Sequence, residues 1–258
     1  MTRADSTRGP RKVNSPELVI VMPAYNEEAS IRKVVLEWIE EVTNWTSSFV
    51  LLAIDDGSSD KTLAVLEGLM EKAGARLMVH SRQNKGHGQT CLEGYRMAAA
   101  LGARYIFQID SDGQCDPQYF FRFWRMRDEQ DVVYGVRTRR DDGFARLCVS
   151  MILRLFVLVM FRTFCPDCNV PYRLMRTQKV MDSVNRIPST FYLANAGLAV
   201  LLARRRDCRH AYVPIRFRER YGGEPTISSM VFARKAIEFY RDLRAIWGSV
   251  RNIAKRGQ

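Results

Sequence analysis

Four short apolar runs that alternate with segments of helical spacing constrain the fold of this chain more than any other feature of its sequence. The first run, Leu18 to Met22, is apolar at every position, which is typical of a strand buried on both faces. Further runs begin at Phe49, Leu77 and Tyr105, and apolar residues at helical spacing follow each of the first three runs. This alternation predicts an α/β fold with a mostly parallel, Rossmann-like sheet flanked by helices.

Polar loops follow three of the predicted strands. They comprise residues 23–28, 55–60 and 110–114. Ligands of such sheets bind beyond the carboxyl ends of the strands, so we expect the three loops to line one crevice. The chain has 258 residues, of which 47% are hydrophobic, and this apolar fraction excludes disorder along its whole length.

The sharpest chemical signal is Asp110-Ser111-Asp112, which comes directly after the fourth predicted strand. Two carboxylates two residues apart can face one divalent cation, and Gln114 can add a neutral oxygen. Hard oxygen ligands suit Mg²⁺ or Mn²⁺, which hold substrate diphosphates. A solvated acidic turn is the alternative interpretation of the same residues.

Four loop motifs occur in order at strand–loop spacing. They are Val21–Glu28, Asp55–Asp60, Asn84–Gly88 and Asp110–Gln114. Together they resemble the inverting glycosyltransferases of family 2, which have the GT-A fold, and the match extends from about Leu18 to Thr226. The second half is most similar to the dolichol-phosphate mannose synthase group, whose members load a sugar onto a polyprenyl phosphate. The segments that carry this similarity are Gly135–Arg137, Asp167–Arg173 and Phe217–Glu224.

The resemblance implies a role for each matching residue. It assigns a nucleotide-sugar pocket to Pro23, Ala24, Tyr25, Glu27, Asp55, Asp56, Lys85, Gly86, Asp110 and Ser111, with Asp56 or Asp55 recognising the base. It assigns a divalent metal, Mg²⁺ or Mn²⁺, to Asp110, Asp112 and Gln114. Arg137 and Arg220 would neutralise the leaving diphosphate, on which charge builds as the sugar–phosphate bond breaks. The expected catalytic set is Asp112, Arg137, Arg220 and Asp167.

A carboxylate base is missing where family members that glycosylate a hydroxyl usually carry a Glu-Asp pair. The corresponding stretch is Phe191–Leu198, and the chain contains no Glu-Asp dipeptide. A hydroxyl acceptor needs a base, whereas a phosphate monoester, with a second pKa of about 6, is already mostly a dianion at pH 7. We therefore expect a phosphate acceptor. Asp167 is the remaining candidate base, and orienting Arg173 or the acceptor loop is its alternative role.

The net charge of +12 indicates an anionic partner, and most of this charge lies near the two ends. Residues 1–12 and 232–258 together supply +8. Arg146, Arg154 and Arg162 recur every eight residues in an apolar stretch, which predicts a basic amphipathic helix lying on an anionic membrane surface. A core helix with snorkelling arginines is the alternative.

The chain divides, by its composition, into three predicted parts. Residues 1–16 form a disordered basic arm, residues 17–228 the GT-A domain, and residues 229–258 a second basic amphipathic helix. Thus the C-terminal half contributes amphipathic basic helices to the expected fold.

Several features predict a peripheral protein on the cytoplasmic face of a membrane. The N-terminus has no apolar export signal, and the most hydrophobic window, Leu147 to Phe161, is shorter than the roughly 20 residues that span a bilayer. The six cysteines lack the spacing of a disulfide framework, so we expect reduced thiols. The pair Cys165 and Cys168 forms a CxxC motif without the second pair of a zinc ribbon or the βαβ setting of a redox site.

The combined interpretation is metal-dependent, inverting transfer of a sugar from a GDP- or UDP-linked donor to a polyprenyl phosphate at the membrane surface. The first alternative is a family 2 enzyme that acts on a saccharide hydroxyl in cell-surface polysaccharide or glycolipid synthesis. A non-catalytic homologue is another. A nucleotidyltransferase would carry a Gly-rich basic loop where Pro23–Asn26 stands. A nucleic-acid partner is not expected, because the chain lacks an RRM, KH or helix-turn-helix pattern.

Overall fold

The computed structural model of the chain describes residues 15–138, 165–188, 191 and 194–222. These residues contain one seven-stranded mixed sheet. Its strands are β1 (Leu18–Ala24), β2 (Phe49–Asp55), β3 (Leu77–Ser81), β4 (Tyr105–Gln108), β5 (Val132–Arg137), β6 (Arg173–Arg176) and β7 (His210–Ile215). The spatial order is β3-β2-β1-β4-β6-β5-β7.

Six α-helices flank the sheet within the described residues. They are α1 (Ile31–Thr43), α2 (Thr62–Ala73), α3 (His87–Ala100), α4 (Phe120–Arg125), α5 (Thr177–Asn185) and α6 (Ala194–Ala203). Two short 3₁₀ turns, Gly74–Arg76 and Pro117–Tyr119, complete the connections. The predicted α/β class and the alternation of the first four strands with helices are confirmed.

The sheet is parallel in its first half and mixed in its second. β1 pairs in parallel with β2 and β4, and β2 pairs in parallel with β3. β6 then runs antiparallel between β4 and β5, while β7 pairs in parallel with β5. The prediction of a mostly parallel sheet is therefore confirmed, and the carboxyl ends of β1, β2 and β4 lie at the same edge.

Burial explains why β1 is apolar throughout. All seven of its residues are buried, because helices cover both faces of the central sheet. On α1, Ile31, Val34, Val35, Trp38 and Val42 form the buried stripe. The indole of Trp38 packs on Phe107 of β4, with ring centroids 5.6 Å apart. This core holds the polar loops at the sheet edge in fixed positions.

The first helix begins at Ile31, seven residues after the end of β1. Residues 27–30 form a turn because their polar groups are engaged elsewhere. The backbone N–H of Glu27 donates to Oγ1 of Thr62 at 2.8 Å, and its side chain accepts from the hydroxyl of Ser30 at 2.7 Å. This turn keeps Glu27 at the sheet edge instead of on the helix.

Close packing of α3 on β1 depends on Gly94. A Cβ at this position would overlap Cγ1 of Val21 and would lie 2.8 Å from Cδ1 of Ile54. We expect Gly94→Ala to lower the free energy of unfolding by about 1–3 kcal/mol, because overpacking forces the helix away from the sheet. Urea denaturation measures this change.

Gly68 of α2 is the matched control for that measurement. Nothing lies within 4 Å of a Cβ added there. Gly68→Ala is expected to raise the free energy of unfolding by about 0.5–1 kcal/mol, because alanine has the better helix propensity. If Gly94→Ala and Gly68→Ala raised the free energy of unfolding equally, the close packing of α3 on β1 would be contradicted.

Three predicted features lie outside the described residues. They are the basic arm (apart from residues 15 and 16), the arginine-bearing apolar stretch at 144–162, and the C-terminal helix at 229–258. The predicted domain boundaries stay predictions. Within the part of the chain that the structure describes, none of the helices has the length and apolar character needed to cross a bilayer.

Candidate active site

The three polar loops converge on one crevice at the carboxyl edge of the sheet, as the sequence predicts. The amide oxygen of Asn26, in the loop after β1, accepts the N–H of Ser59 in the loop after β2 at 2.8 Å. Oγ of Ser30 lies 3.0 Å from the carbonyl oxygen of Ser111 in the loop after β4. Asn26 adopts a φ of 55°, so the chain turns sharply at this point.

The end of β1 forms one wall of the crevice. Pro23 and Ala24 are buried at the end of this strand, and the backbone N–H of Asp56 donates to the carbonyl of Ala24 at 2.9 Å. The side chain of Tyr25 follows and is 39% exposed. An exposed ring beside a polar loop can stack on a planar ligand group. The nucleotide contacts assigned to these residues stay predictions.

Asp55 and Asp56 lie buried at the floor of the crevice, where the chain itself occupies their carboxylates. The carboxylate of Asp56 accepts the N–H groups of Lys85 and Gly86 at 3.0 and 2.8 Å. That of Asp55 accepts the N–H of Ser58 at 3.2 Å and the hydroxyl of Ser81 at 2.9 Å. Their observed contacts are structural, and base recognition by either stays a prediction.

Arg82 is a residue of this floor that the sequence did not single out. Its side chain is 7% exposed, and Nη2 lies 2.9 Å from Oδ1 of Asp56. Nη1 lies 2.7 Å from Glu93, and Nη2 donates to the hydroxyl of Thr90 at 2.7 Å. Arg82 thus ties β2, the loop after β3 and α3 together. No local pattern marks it, because its partners lie on other elements.

The N-terminus of α3 points into the crevice. Gly86 caps this helix with a φ of 89°, and His87 is its first residue. Nε2 of His87 lies 3.7 Å from Oδ1 of Asp110. A helix N-terminus carries partial positive charge and free N–H groups, which favour an anion. Lys85, exposed just before it, adds a full positive charge.

The carboxylates of Asp110 and Asp112 fit a divalent cation. Oδ1 of Asp110 has no hydrogen-bond partner among the described residues, although that atom is buried. Asp112 accepts the N–H of Gln114 at 3.0 Å with Oδ1, while its Oδ2 lies 3.9 Å from Nη1 of Arg220. A buried carboxylate oxygen without a donor is what an ion requires of its ligand.

The described residues contain no group of three or more His, Cys, Asp or Glu side chains that could hold an ion alone. This agrees with the way proteins hold Mg²⁺ beside nucleotides, with one or two carboxylates and the phosphates of the substrate. The metal ligation assigned to Asp110, Asp112 and Gln114 stays a prediction. The backbone groups of Gln114 bond to Asp112 and Arg218.

The pKa of Asp110 predicts how pH affects metal binding. Burial raises this pKa to about 6, while the neighbouring His87 lowers it and Asp112 raises it. A metal ion needs the ionised carboxylate, so protons compete with it below about pH 6. We expect the affinity for Mn²⁺ to fall about tenfold per pH unit there. Electron paramagnetic resonance of free Mn²⁺ measures this affinity, and a constant affinity down to about pH 5 would contradict the role of Asp110.

Residues 217–222 close the crevice over the acidic motif. The backbone N–H of Tyr221 donates to the carbonyl of Asp112 at 3.1 Å, and the ring of Tyr221 lies against Gly113. A Cβ on Gly113, whose φ is 84°, would be 2.5 Å from this ring. Nη2 of Arg220 is hydrogen-bonded to the buried carboxylate of Glu27. Arg220 is therefore positioned beside both Glu27 and Asp112.

Glu27 is a buried anchor for Arg220. Burial raises its pKa, whereas the hydroxyl of Ser30 and the charge of Arg220 lower it. An ionised carboxylate held by these two groups keeps the guanidinium at the mouth of the crevice. The family resemblance assigns Glu27 to the nucleotide pocket. In the structure its carboxylate also pairs with Arg220, which is distant along the chain.

Arg137 and Asp167 form a two-pronged ion pair at the end of β5. Nε and Nη2 of Arg137 lie 2.7 and 2.8 Å from the two carboxylate oxygens of Asp167, whose side chain is 5% exposed. The positive charge of Arg137 also lowers the pKa of Asp110. The alternative role of Asp167, orienting Arg173 or the acceptor loop, stays a prediction. The guanidinium of Arg173 donates to the carbonyls of Val170 and Asn195 at 3.0 and 3.1 Å.

The described part of the stretch that lacks a carboxylate, Phe191 and residues 194–198, lies beside α3. Nε2 of Gln89 donates to the carbonyl of Phe191 at 3.1 Å. Asn195, at the start of α6, is buried, and its Oδ1 lies 3.1 Å from the hydroxyl of Tyr95. This hydroxyl also lies 2.5 Å from Oε1 of Gln108 in β4. Neutral polar groups therefore fill the interior between α3, α6 and the sheet.

Comparison with known sequences gives family membership. The model for glycosyl transferase family 2 matches residues 19–174, which is more than half of the chain. An undecaprenyl-phosphate 4-deoxy-4-formamido-L-arabinose transferase from Serratia proteamaculans is 26% identical over 140 residues, or 54% of this chain and 42% of that protein. The enzyme of the same name from Salmonella choleraesuis is 26% identical over 215 residues, or 82% and 62%. The chain spans less than two thirds of either relative.

Comparison with solved structures shows the fold. Glucosyl-3-phosphoglycerate synthase from Mycobacterium tuberculosis, in complex with Mn²⁺, UDP-glucose and phosphoglyceric acid, has a TM-score of 0.64 at 19% identity. The match covers 88% of this chain and 78% of that one. TarS from S. aureus in complex with UDP has a TM-score of 0.52 at 20% identity, over 78% and 59%. The chain belongs to glycosyl transferase family 2, and it has the GT-A fold.

Proposed function

We propose that the protein transfers a sugar from a nucleotide-sugar to a polyprenyl phosphate at a membrane surface, with a divalent metal and with inversion. The acceptor phosphate attacks the anomeric carbon as the bond to the nucleotide diphosphate breaks, in one displacement. The ion pair between Arg137 and Asp167 carries this proposal, because it bears on the choice between a phosphate and a hydroxyl acceptor.

A hydroxyl acceptor needs a base, and Asp167 is the carboxylate that the sequence offers for this role. Both of its oxygens are instead bonded to the guanidinium of Arg137, at 2.7 and 2.8 Å. A two-pronged bond to an arginine engages both carboxylate oxygens, so neither is positioned to take a proton from an acceptor hydroxyl. A phosphate acceptor, ionised on its own at pH 7, needs no such group and is attracted by Arg137.

Positively charged groups lie where the nucleotide-sugar donor would bind. They match the negative charge that develops on the leaving diphosphate. The N-terminus of α3 and the guanidinium of Arg220 supply fixed positive charge around Asp110 and Asp112. Preorganised positive groups of this kind stabilise a leaving diphosphate without having to reorganise during the reaction. Asp110 and Asp112 would hold the metal, Mg²⁺ or Mn²⁺, which when bound acts as a Lewis acid on the diphosphate oxygens.

The acceptor class has support from the relatives. Two of them are named as undecaprenyl-phosphate sugar transferases, and one matches 82% of this chain. The net charge of +12 fits an acceptor that lies in an anionic membrane, since each basic residue near such a surface contributes about 1 kcal/mol. Peripheral association with the cytoplasmic face is part of the same proposal.

The dependence of kcat/KM on pH tests the proposal, with undecaprenyl phosphate as acceptor and Mn²⁺ at saturation to keep Asp110 ionised. We expect kcat/KM to rise with pH to a plateau, with a midpoint near about 6, where the acceptor loses its second proton. Asp167→Asn retains oxygen and amide groups at the same position, so the same midpoint is expected in this variant.

The size of the loss in Asp167→Asn separates the two mechanisms. Weaker positioning of Arg137 is expected to lower kcat/KM by about tenfold. Loss of a general base would lower it by about 10² to 10⁴-fold and would remove the ionisation from the profile. The second result would exclude a base-free reaction, whereas a complete lack of transfer to undecaprenyl phosphate by the wild-type protein would favour a hydroxyl acceptor.

A further inference from the structure

The turn that carries Asp167 also brings two cysteines into the same short segment. Residues 166–169 form a turn, and Cys165 and Cys168 stand three positions apart around Asp167. Both side chains are buried, and each thiol affects the pKa of the other. Asp167 lies between them in the chain and holds Arg137 through its two oxygens. The CxxC motif thus places a thiol on each side of Asp167, the residue that positions Arg137.

We propose that Cys165 and Cys168 form a reversible disulfide when a peroxide oxidises them, and that this bond displaces Asp167 and lowers transfer activity. The loss of activity rests on the proposed role of Arg137. The formation of the disulfide does not, so the two can be tested separately.

The backbone geometry permits the bond. The Cα atoms at the ends of a four-residue turn lie within about 7 Å, and disulfides join Cα atoms about 4.4–6.8 Å apart. The two sulfur groups must then approach to a bond length of about 2.05 Å. Asp167 sits within the segment that must tighten, so its carboxylate moves with the turn.

The two thiols differ in the way that a stepwise oxidation requires. The hydrogen bond from Cys168 lowers the pKa of Cys165, and the charge of Arg173 lowers it further. The same bond raises the pKa of Cys168, and so does burial. Cys165 is therefore the more nucleophilic sulfur at neutral pH, and Cys168 keeps its proton until the second step.

The reaction balances with one peroxide molecule for each disulfide. The thiolate of Cys165 attacks one oxygen of hydrogen peroxide, forms a sulfenic acid and releases hydroxide. The sulfur of Cys168 then attacks the sulfenic sulfur as it gives up its proton, the S–S bond forms, and the sulfenic oxygen leaves as water. Two thiols lose two electrons, and one peroxide becomes two water molecules. A reducing agent reverses the change.

The two cysteines of a CxxC motif can also bind a metal ion instead of forming a disulfide. In the part of the chain that the structure covers, no His, Cys, Asp or Glu joins these two cysteines in a group of three that could hold an ion. Structural zinc needs four such ligands. The described geometry therefore favours a disulfide over a metal site.

Cys208 provides the matched control. It is buried as well, but burial raises its pKa to about 12, so its thiol stays protonated. We expect Cys208→Ser to keep the response to peroxide, whereas Cys168→Ser, which retains Cys165 without its partner, cannot form the bond. The wild-type protein alone already tests the central step, because oxidation needs no substitution.

The experiment treats the full chain with hydrogen peroxide and maps the cysteines by alkylation and mass spectrometry, before and after reduction with a phosphine. We expect a disulfide-linked peptide with Cys165 and Cys168, a mass lower by two hydrogens, and full reversal on reduction. Transfer activity of the oxidised form should fall by about tenfold, the loss expected for weaker positioning of Arg137 in Asp167→Asn.

Each outcome bears on one part of the proposal. If both cysteines stay open to alkylation after peroxide, the disulfide is wrong. If the disulfide forms but activity is unchanged, the coupling through Asp167 is wrong. If the reduced enzyme fails to glycosylate a polyprenyl phosphate, the proposed function is wrong, and the peptide map still decides whether the disulfide exists.

Discussion

Asp112→Asn is expected to lower kcat/KM for sugar transfer on the order of 10³-fold, which is the scale of losing one preorganised group that stabilises developing charge. Asp112 lies next to Asp110 on the loop after β4, and its Oδ2 is 3.9 Å from Nη1 of Arg220. The amide oxygen of asparagine can still accept the N–H of Gln114, so the loop keeps its shape while one negative charge is lost. Release of nucleotide diphosphate measures the effect.

Asp116→Asn is the matched control for this substitution. Asp116 lies on the same loop, and its carboxylate accepts the N–H of Gln118 at 3.1 Å at the start of the 3₁₀ turn. Asparagine caps a helix about as well as aspartate, so activity and stability should stay close to those of the wild type. If Asp112→Asn were as active as Asp116→Asn, the metal and diphosphate role of the acidic motif would be wrong.

Arg137→Met is expected to reduce both activity and stability. Removal of the guanidinium breaks a two-pronged bond to the buried carboxylate of Asp167, at a cost on the order of 3 kcal/mol in the free energy of unfolding. Transfer activity should fall on the order of 10²-fold, because a fixed positive charge that would stabilise the leaving diphosphate is lost. Chemical denaturation and initial rates measure the two effects independently.

A double variant separates the structural role of Arg137 from its catalytic role. In Arg137→Met with Asp167→Asn, the neutral asparagine no longer leaves a buried charge, so most of the lost stability should return. Activity should stay low. Arg104→Ala is the control, because its ion pair with Asp128 is more than half exposed and lies at the opposite end of β4. Recovery of activity in the double variant would show that Arg137 matters only for folding.

The first half of the fold could be predicted because its signals are local. Four apolar runs and their polar loops specify buried parallel strands that end at one edge, and β1, β2 and β4 confirm this. The insertion of β6 antiparallel between β4 and β5 has no local signal. Strand pairing there depends on contacts between segments that are distant along the chain.

The candidate site shows the same division between local and distant information. The loop motifs place Asp110, Asp112 and Glu27 together, yet the partner of Glu27 is Arg220, 193 residues further along. Spacing alone cannot predict such pairs. Asp167 was expected to orient Arg173, whose guanidinium donates to backbone carbonyls in the interior. Asp167 and Arg173 are both buried. Which of the two lies beside an oppositely charged side chain depends on the folded backbone around them.

Paired acceptors test the central claim most directly. The protein is incubated with Mn²⁺ and radiolabelled GDP- or UDP-sugars, together with either undecaprenyl phosphate or undecaprenol, which differ only in the phosphate group. We predict that label enters the lipid phase with undecaprenyl phosphate alone and that Asp112→Asn abolishes this transfer. Equal labelling of undecaprenol, or transfer only to a soluble saccharide, would contradict the claim that this glycosyltransferase uses a phosphate acceptor.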